Sequence, residues 1–232
     1  MTNTGHKNRI APQRPTRHPD AMTRPSPLPN RVAPTGEICA HTARGTLMGN
    51  RGILHDDRQQ LGTARWKHQA WVTCTLAFKA RRRELMTPGN YTELFFTDEA
   101  VALAAGHRPC AECRREDFNR FRDAFARAHP DLPQPVRAPD MDRVMHTARV
   151  VSRSRAQVTY RARLAGLPEG VFFRAADHGP PLVQWKGRVW AWTFEGYSRW
   201  VGDLPELVGV LTPEPTVRAI AAGYEPACLA TA

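Results

Sequence analysis

Leu94-Phe-Phe-Thr-Asp-Glu-Ala-Val-Ala-Leu-Ala-Ala-Gly-His-Arg-Pro-Cys110-Ala-Glu-Cys113-Arg-Arg115 is the stretch from which the architecture reads most directly. Phe95 and Phe96 close a run, Tyr91–Phe96, of strand composition. Thr97-Asp98-Glu99 is a helix start, a hydroxyl cap with two acids in the first turn, where the helix dipole favours negative charge. Ala100–Ala105 continue the helix, and Gly106 predicts its end, because glycine takes the left-handed conformation that closes helices. Cys110 and Cys113 follow at once. Two thiolates on one tight turn chelate a single ion, and tetrahedral closure asks for two more Cys or His. A redox dithiol is the rival, but it belongs at the start of a helix after a parallel strand. Here the pair follows a helix and the preceding strands read as antiparallel, so zinc is expected.

Upstream, residues 44–55 hold three Gly and an Asn and read as a tight loop joining short strands. Trp71–Phe78, Arg81–Met86 and Tyr91–Phe96 are strand candidates, the last two separated by the turn signal Pro88-Gly89-Asn90. Together they predict a small antiparallel sheet. Downstream, Arg115–Ala128 reads as a helix with Phe118, Phe121 and Phe125 on one face and Arg120, Arg122 and Arg127 on the other. A spacer with Pro130, Pro133, Pro135 and Pro139 leads to a short helix over Met141–Val150.

The last third changes character. Val171–Phe173, Leu182–Trp185, Val189–Phe194 and Leu207–Leu211 are short alternating runs punctuated by Gly and Pro, a β-rich unit of small-barrel type. A helix over Pro215–Ala222, stopped by Gly223, closes the chain. Trp185, Trp190, Trp192 and Trp200 are expected in its core. The fold class expected is α+β. A basic, Pro-rich disordered arm covers 1–35, a zinc-binding α+β domain 36–150 and a β-rich domain 151–232.

The net charge is +11, with 33 Lys and Arg against 22 Asp and Glu, whereas residues 164–232 are net acidic. The excess therefore sits in the first two-thirds, and a field of this sign attracts polyanions, nucleic acid above all. Five Cys is an odd and sparse set, which argues against a disulfide framework. No apolar run approaches the roughly 18 residues of a membrane helix, and the N-terminus has no apolar leader segment. A cytoplasmic protein with no membrane partner is expected.

The 22 residues from Leu94 to Arg115 resemble the second half of the zinc-binding module of the Ada methylated-DNA repair proteins. That module runs Phe-Phe, a short helix rich in Glu and Ala, then Gly-aromatic-Arg-Pro-Cys-x-x-Cys. The resemblance implies Zn²⁺ and a DNA partner, and the zinc is expected to be structural because protein groups can fill all four positions. It departs in the first half, where Ada carries Cys-x-x-x-Cys on the preceding hairpin and this chain does not. The Pro-Cys-His-Arg centre of the guanine-methyl-accepting domain is also missing. The ligand set expected is Cys110 and Cys113 with Cys74, on the strand where the module places a ligand, and His55. Cys39 and His41 are the alternative pair.

Nucleic acid is the expected partner, probed by the basic residues around the knuckle: Arg44, Arg51, Arg81, Arg82, Arg83, Arg108, Arg114, Arg115, Arg120 and Arg122. Two other readings stay open. A metal-dependent DNA-modifying or DNA-cutting enzyme needs clustered carboxylates or a His with acids, and His55-Asp56-Asp57 or Asp140, Asp142 and His146 could supply them. A structural or protein-interaction protein with incidental charge is the third.

Overall fold

A computed structural model describes residues 26–79 and 84–231. The fold is α+β, with four α-helices and two six-stranded sheets among these residues. Residues 1–25, most of the expected arm, lie outside them, as do Arg81, Arg82 and Arg83.

The first sheet is built from β1 (Pro29–Val32), β2 (Ile38–Ala40), β3 (Leu47–Asn50), β4 (Val72–Thr75), β5 (Leu94–Phe96) and β6 (Arg108–Pro109), in the order β2-β1-β5-β3-β4-β6. It is mixed rather than purely antiparallel, since β1 pairs parallel with β5 and β4 parallel with β6. β1 corrects the arm boundary. Pro29–Val32 is an inner strand and Val32 is fully buried, so apolar burial against β5 overrides the Pro-rich composition. Glu84–Met86, the described part of the strand expected over Arg81–Met86, forms a turn rather than a strand.

Helix α1 (Glu99–Ala104) ends where Gly106 takes φ +83°. Its cap is Asp98 and not Thr97: Asp98 Oδ1 accepts from the Val101 amide at 2.9 Å. Thr97 Oγ1 instead accepts from Trp192 Nε1 at 3.1 Å. Helix α2 (Arg115–Ala128) buries Phe118, Phe121 and Phe125, as its periodicity predicts. Helix α3 (Ala138–Arg149) begins a turn earlier than expected, with proline at its start.

The second sheet holds β7 (Tyr160–Arg163), β8 (Phe172–Arg174), β9 (Leu182–Trp185), β10 (Arg188–Thr193), β11 (Gly196–Arg199) and β12 (Leu207–Val210). Its order is β11-β10-β9-β8-β12-β7 and every pair is antiparallel. Because β11 and β7 do not pair, it is an open sheet and not a barrel. Helix α4 (Glu214–Ala221) packs on α2.

Consecutive side chains of a strand face opposite sides of the sheet, and Phe172 and Phe173 show the result. Phe172 joins Val32, Phe96, Ala100 and Trp192 in one core cluster. Phe173 joins Phe121, Phe125, Met141 and Ile220 in another. The two faces of the second sheet thus meet different clusters, one shared mainly with the first sheet and α1 and the other with α2, α3 and α4, while α2 and α3 also meet β6 of the first sheet directly. Both clusters draw residues from either side of the 150/151 boundary expected from composition. Trp190 and Trp192 are buried, and Trp185 and Trp200 pack at the margins. Among the described residues no helix is long and apolar enough to cross a membrane.

Candidate metal centre

Strand pairing brings the thiols together. Cys74 stands on β4 opposite Met48 of β3. On the other edge of β4, Thr73 pairs with Pro109, and the Cys110 amide extends the ladder by donating to Thr73 O at 2.9 Å. Cys110 therefore lands beside Cys74. The chain then makes a single turn, with the Arg114 amide on Cys110 O at 3.2 Å, which carries Cys113 back to the same place. The ligand atoms of Cys74, Cys110 and Cys113 all lie within 4.8 Å of one another, and the three residues are half-buried.

This donor set could hold a metal ion. Zinc with Zn–S near 2.3 Å places tetrahedral sulfurs about 3.8 Å apart, inside that limit. Among the described residues the cluster holds three soft sulfur donors and no imidazole or carboxylate joins it, a set that suits a thiophilic ion. Cys110 is held down to about 5 by its hydrogen bond with Cys74, helped by the backbone amides of Cys113 and Glu112. The Glu112 amide lies 3.4 Å from Cys110 Sγ. The same shared hydrogen, together with burial, pushes Cys74 up.

His55 is not part of the group. Its Nδ1 lies 2.6 Å from Thr92 Oγ1, which also accepts from the Leu54 amide, so the ring is committed to the loop after β3. Cys39 and His41 lie elsewhere: His41 stacks on Phe194 and meets Glu195 at 3.0 Å, and the Cys39 thiol faces Glu37. Among the described residues no fourth Cys, His, Asp or Glu joins the three sulfurs. The expected closure by four protein groups is thus replaced by three ligands beside a cavity of about 720 Å³. Met48, Leu76, Phe78, Tyr91 and Phe95 give it apolar walls, and Glu93 lies among them with its carboxylate on the Met86 amide at 2.8 Å.

The local context also corrects the case against a redox dithiol. Cys110 does follow a parallel pairing, β6 on β4, and does precede a helix, α2. What separates the site from a dithiol is the third sulfur, Cys74.

The arginines divide sharply. Three of those expected to contact phosphates are buried in the protein's own bonds. Arg114 meets Glu99 at 2.6 Å, Asp117 at 2.7 Å and Thr73 Oγ1 at 3.0 Å, and so clamps the cysteine turn to α1 and β4. Arg108 makes a two-pronged pair with Asp142, both contacts 2.8 Å. Arg51 donates to Gly36 O at 3.0 Å and to Ala105 O and His107 Nε2 at 3.3 Å. Arg44, Arg115 and Arg120 are exposed and Arg122 is half-buried, with Arg120 on Asp117 and Arg122 on Asp123.

Most of the residues considered for a nuclease are taken up by structure, while Asp57 is exposed. Asp142 is spent on Arg108, and His146 packs edge-on against Trp66 and Trp71. Asp56 Oδ1 accepts the amides of Arg58 and Gln60, capping a turn. Sequence reasoning missed Glu99 as an anchor. It is buried, and besides Arg114 it accepts from Tyr224 Oη at 2.6 Å and the Ala227 amide at 2.9 Å. Its only local signal, an acid in a helix's first turn, is the signal of an ordinary dipole partner.

Comparison of the chain with protein-family models, with curated proteins and with solved structures finds no match.

Proposed function

We propose that the chain is a zinc-thiolate protein that handles nucleic acid, with an Ada-like knuckle in which Cys74, Cys110 and Cys113 hold the ion. The observation that carries this reading is the convergence of three sulfurs from β4 and the turn after β6. When bound, zinc would cross-link the turn to the sheet and act as a Lewis acid at its remaining position, beside the 720 Å³ cavity. The hydrogen bond from Cys74 and the nearby backbone amides favour the thiolate form of Cys110, and Arg114 holds the turn against β4 and α1. The net charge of +11 supports a polyanionic partner. Arg44, Arg115 and Arg120 are the exposed groups left to meet it.

The test is metal content with DNA retention on the same preparation. About one zinc per chain is expected, lost in Cys113→Ser. Retention should weaken with salt, and Arg115→Ala with Arg120→Ala should flatten the log–log slope by about 0.9 for each phosphate contact removed. A metal-free preparation after expression in zinc-supplemented medium refutes the metal centre. Zinc without salt-sensitive retention refutes the nucleic-acid partner and leaves the metal centre standing.

A further inference from the structure

A second cavity, of about 400 Å³, is lined by five arginines, Arg51, Arg65, Arg149, Arg155 and Arg174, with Glu37 as the one carboxylate. Arg51 and Arg149 are 2% and 1% exposed. Their guanidinium carbons lie 4.1 Å and 3.9 Å from the ring centre of Trp71, so both cations share one indole. Arg149 donates to Gly106 O and Gln69 O, both at 2.6 Å, and meets His146 Nδ1 at 3.1 Å, and among the described residues its Nε has no acceptor. Thr35 Oγ1 and Arg174 Nε are also buried without a partner among the described residues.

What is missing is negative charge. Arg108 and Arg114 are nearly as deeply buried, and each meets carboxylates directly. Among the described residues none of the five cavity arginines has an ion-pair partner. Asp142, whose field reaches Arg149, has both oxygens on Arg108. Glu37 is exposed and faces the Cys39 thiol. Carbonyl dipoles and an indole face offset part of the cost of burying a guanidinium, but they carry no net charge. Burial, with Arg149 and Arg65 nearby, pushes Arg51 down, and burial pushes Arg149 down as well, against a partial offset from the more distant Asp142.

We propose that this cavity is a binding site for a terminal phosphate group, held by the buried Arg51 and Arg149 and enclosed by Arg65, Arg155 and Arg174. Guanidinium forks match phosphate oxygens two at a time, and Thr35 Oγ1 and the free Nε groups are the polar atoms still lacking partners. The volume falls in the range of small-ligand pockets, about 300–1,000 Å³, which admits a phosphate monoester or a strand end but not a duplex backbone. The cavity shares no lining residue with the thiol centre, and its own arginines, rather than the function proposed above, carry the inference.

The experiment is calorimetric titration of the full chain with inorganic phosphate and pyrophosphate at constant chloride ionic strength. Saturable binding to one site is expected, weakened about tenfold or more in Arg65→Ala/Arg155→Ala. Both of those residues are exposed, so the variant should melt as the wild type does. Arg149→Lys, which keeps the charge and removes the fork, should weaken binding as well. Glycerol phosphate and a short oligonucleotide with 5′-phosphate or 5′-hydroxyl distinguish the source. A strand end is indicated if the 5′-phosphate form binds best, and a small metabolite if the monoester does. No phosphate binding, or binding unchanged in the double variant, overturns the proposal and leaves the arginines as a brace around Trp71.

Discussion

His55 and Cys74 are equally good zinc ligands in isolation, and only their surroundings separate them. Cys74 is fixed by its register on β4, one strand from Cys110. His55 is fixed by a 2.6 Å bond to Thr92 in a different loop. His55→Ala should therefore retain the wild-type metal content while losing about 1–2 kcal/mol of stability from the broken bond. Cys74→Ser should lose the metal. Elemental analysis after passage through a chelating column checks both, and metal loss in His55→Ala would return the site to a closed set of four ligands. Cys110 and Cys113 were legible because two thiols at that spacing need no tertiary contact to chelate. Cys74 was also expected, from the strand on which the Ada-like pattern places a ligand, but the sequence alone did not separate it from His55.

At the scale of elements, the bond that joins β6 to α3 is the Arg108–Asp142 pair, both side chains nearly fully buried. A buried pair gives little net stability over an apolar replacement, but removing one partner strands the other charge. Asp142→Ala should cost about 3–5 kcal/mol in urea unfolding, and Arg108→Met/Asp142→Leu should recover most of it. Strictly additive losses would show that the two charges do not depend on each other. The helices were the most legible elements, because Phe118, Phe121 and Phe125 repeat at helical spacing. Strands β7 and β11 were not foreseen. Tyr160–Arg163 and Gly196–Arg199 are the outer strands of their sheet, rich in exposed Arg and lacking β-branched residues. Their pairing comes from β12 and β10, not from their own pattern.

Across the whole molecule, the buried imidazole of His107 couples stability to pH. It packs between Phe96 and Trp71, with Arg51 from the end of β3 and Arg149 from α3 beside it. Burial, then the charges of Arg51 and Arg149, hold its pKa well below the usual 6.5. The folded ring stays neutral where the unfolded chain begins to take up a proton. The unfolded state thus binds more protons below about pH 6.5, and stability falls as pH drops through that value. The loss approaches about 1.4 kcal/mol per pH unit for this one group. His107→Gln, whose amide oxygen can still accept from Arg51, should be less stable at neutral pH yet flatter between about pH 5 and 6.5. Urea midpoints across that window read the slope, and equal slopes in both proteins would exclude His107 as its source. The C-terminal tail acts at the same scale. Asp98 accepts from Tyr197 Oη and the Leu229 amide, as Glu99 does from Tyr224 and Ala227, so α1 is anchored by residues more than 95 positions away.

By itself the sequence determined the α+β class, the cysteine turn, the amphipathic α2 and the closing helix. Each of these depends on contacts within a few residues, where spacing and composition carry the information. Tertiary structure alone decided which residue completes the sulfur cluster, and it also decided which arginines face solvent. Arg44, Arg51, Arg108, Arg114, Arg115 and Arg120 are chemically alike. Arg108 and Arg114 became internal because acids 34 and 15 residues away arrived across packed elements. Arg51 and Arg149 became internal with no acid among the described residues in ion-pair contact, which is the feature that marks the 400 Å³ cavity. A charged side chain's role is set by what the rest of the fold brings within about 4 Å of it, and that distance is not written in its neighbours along the chain.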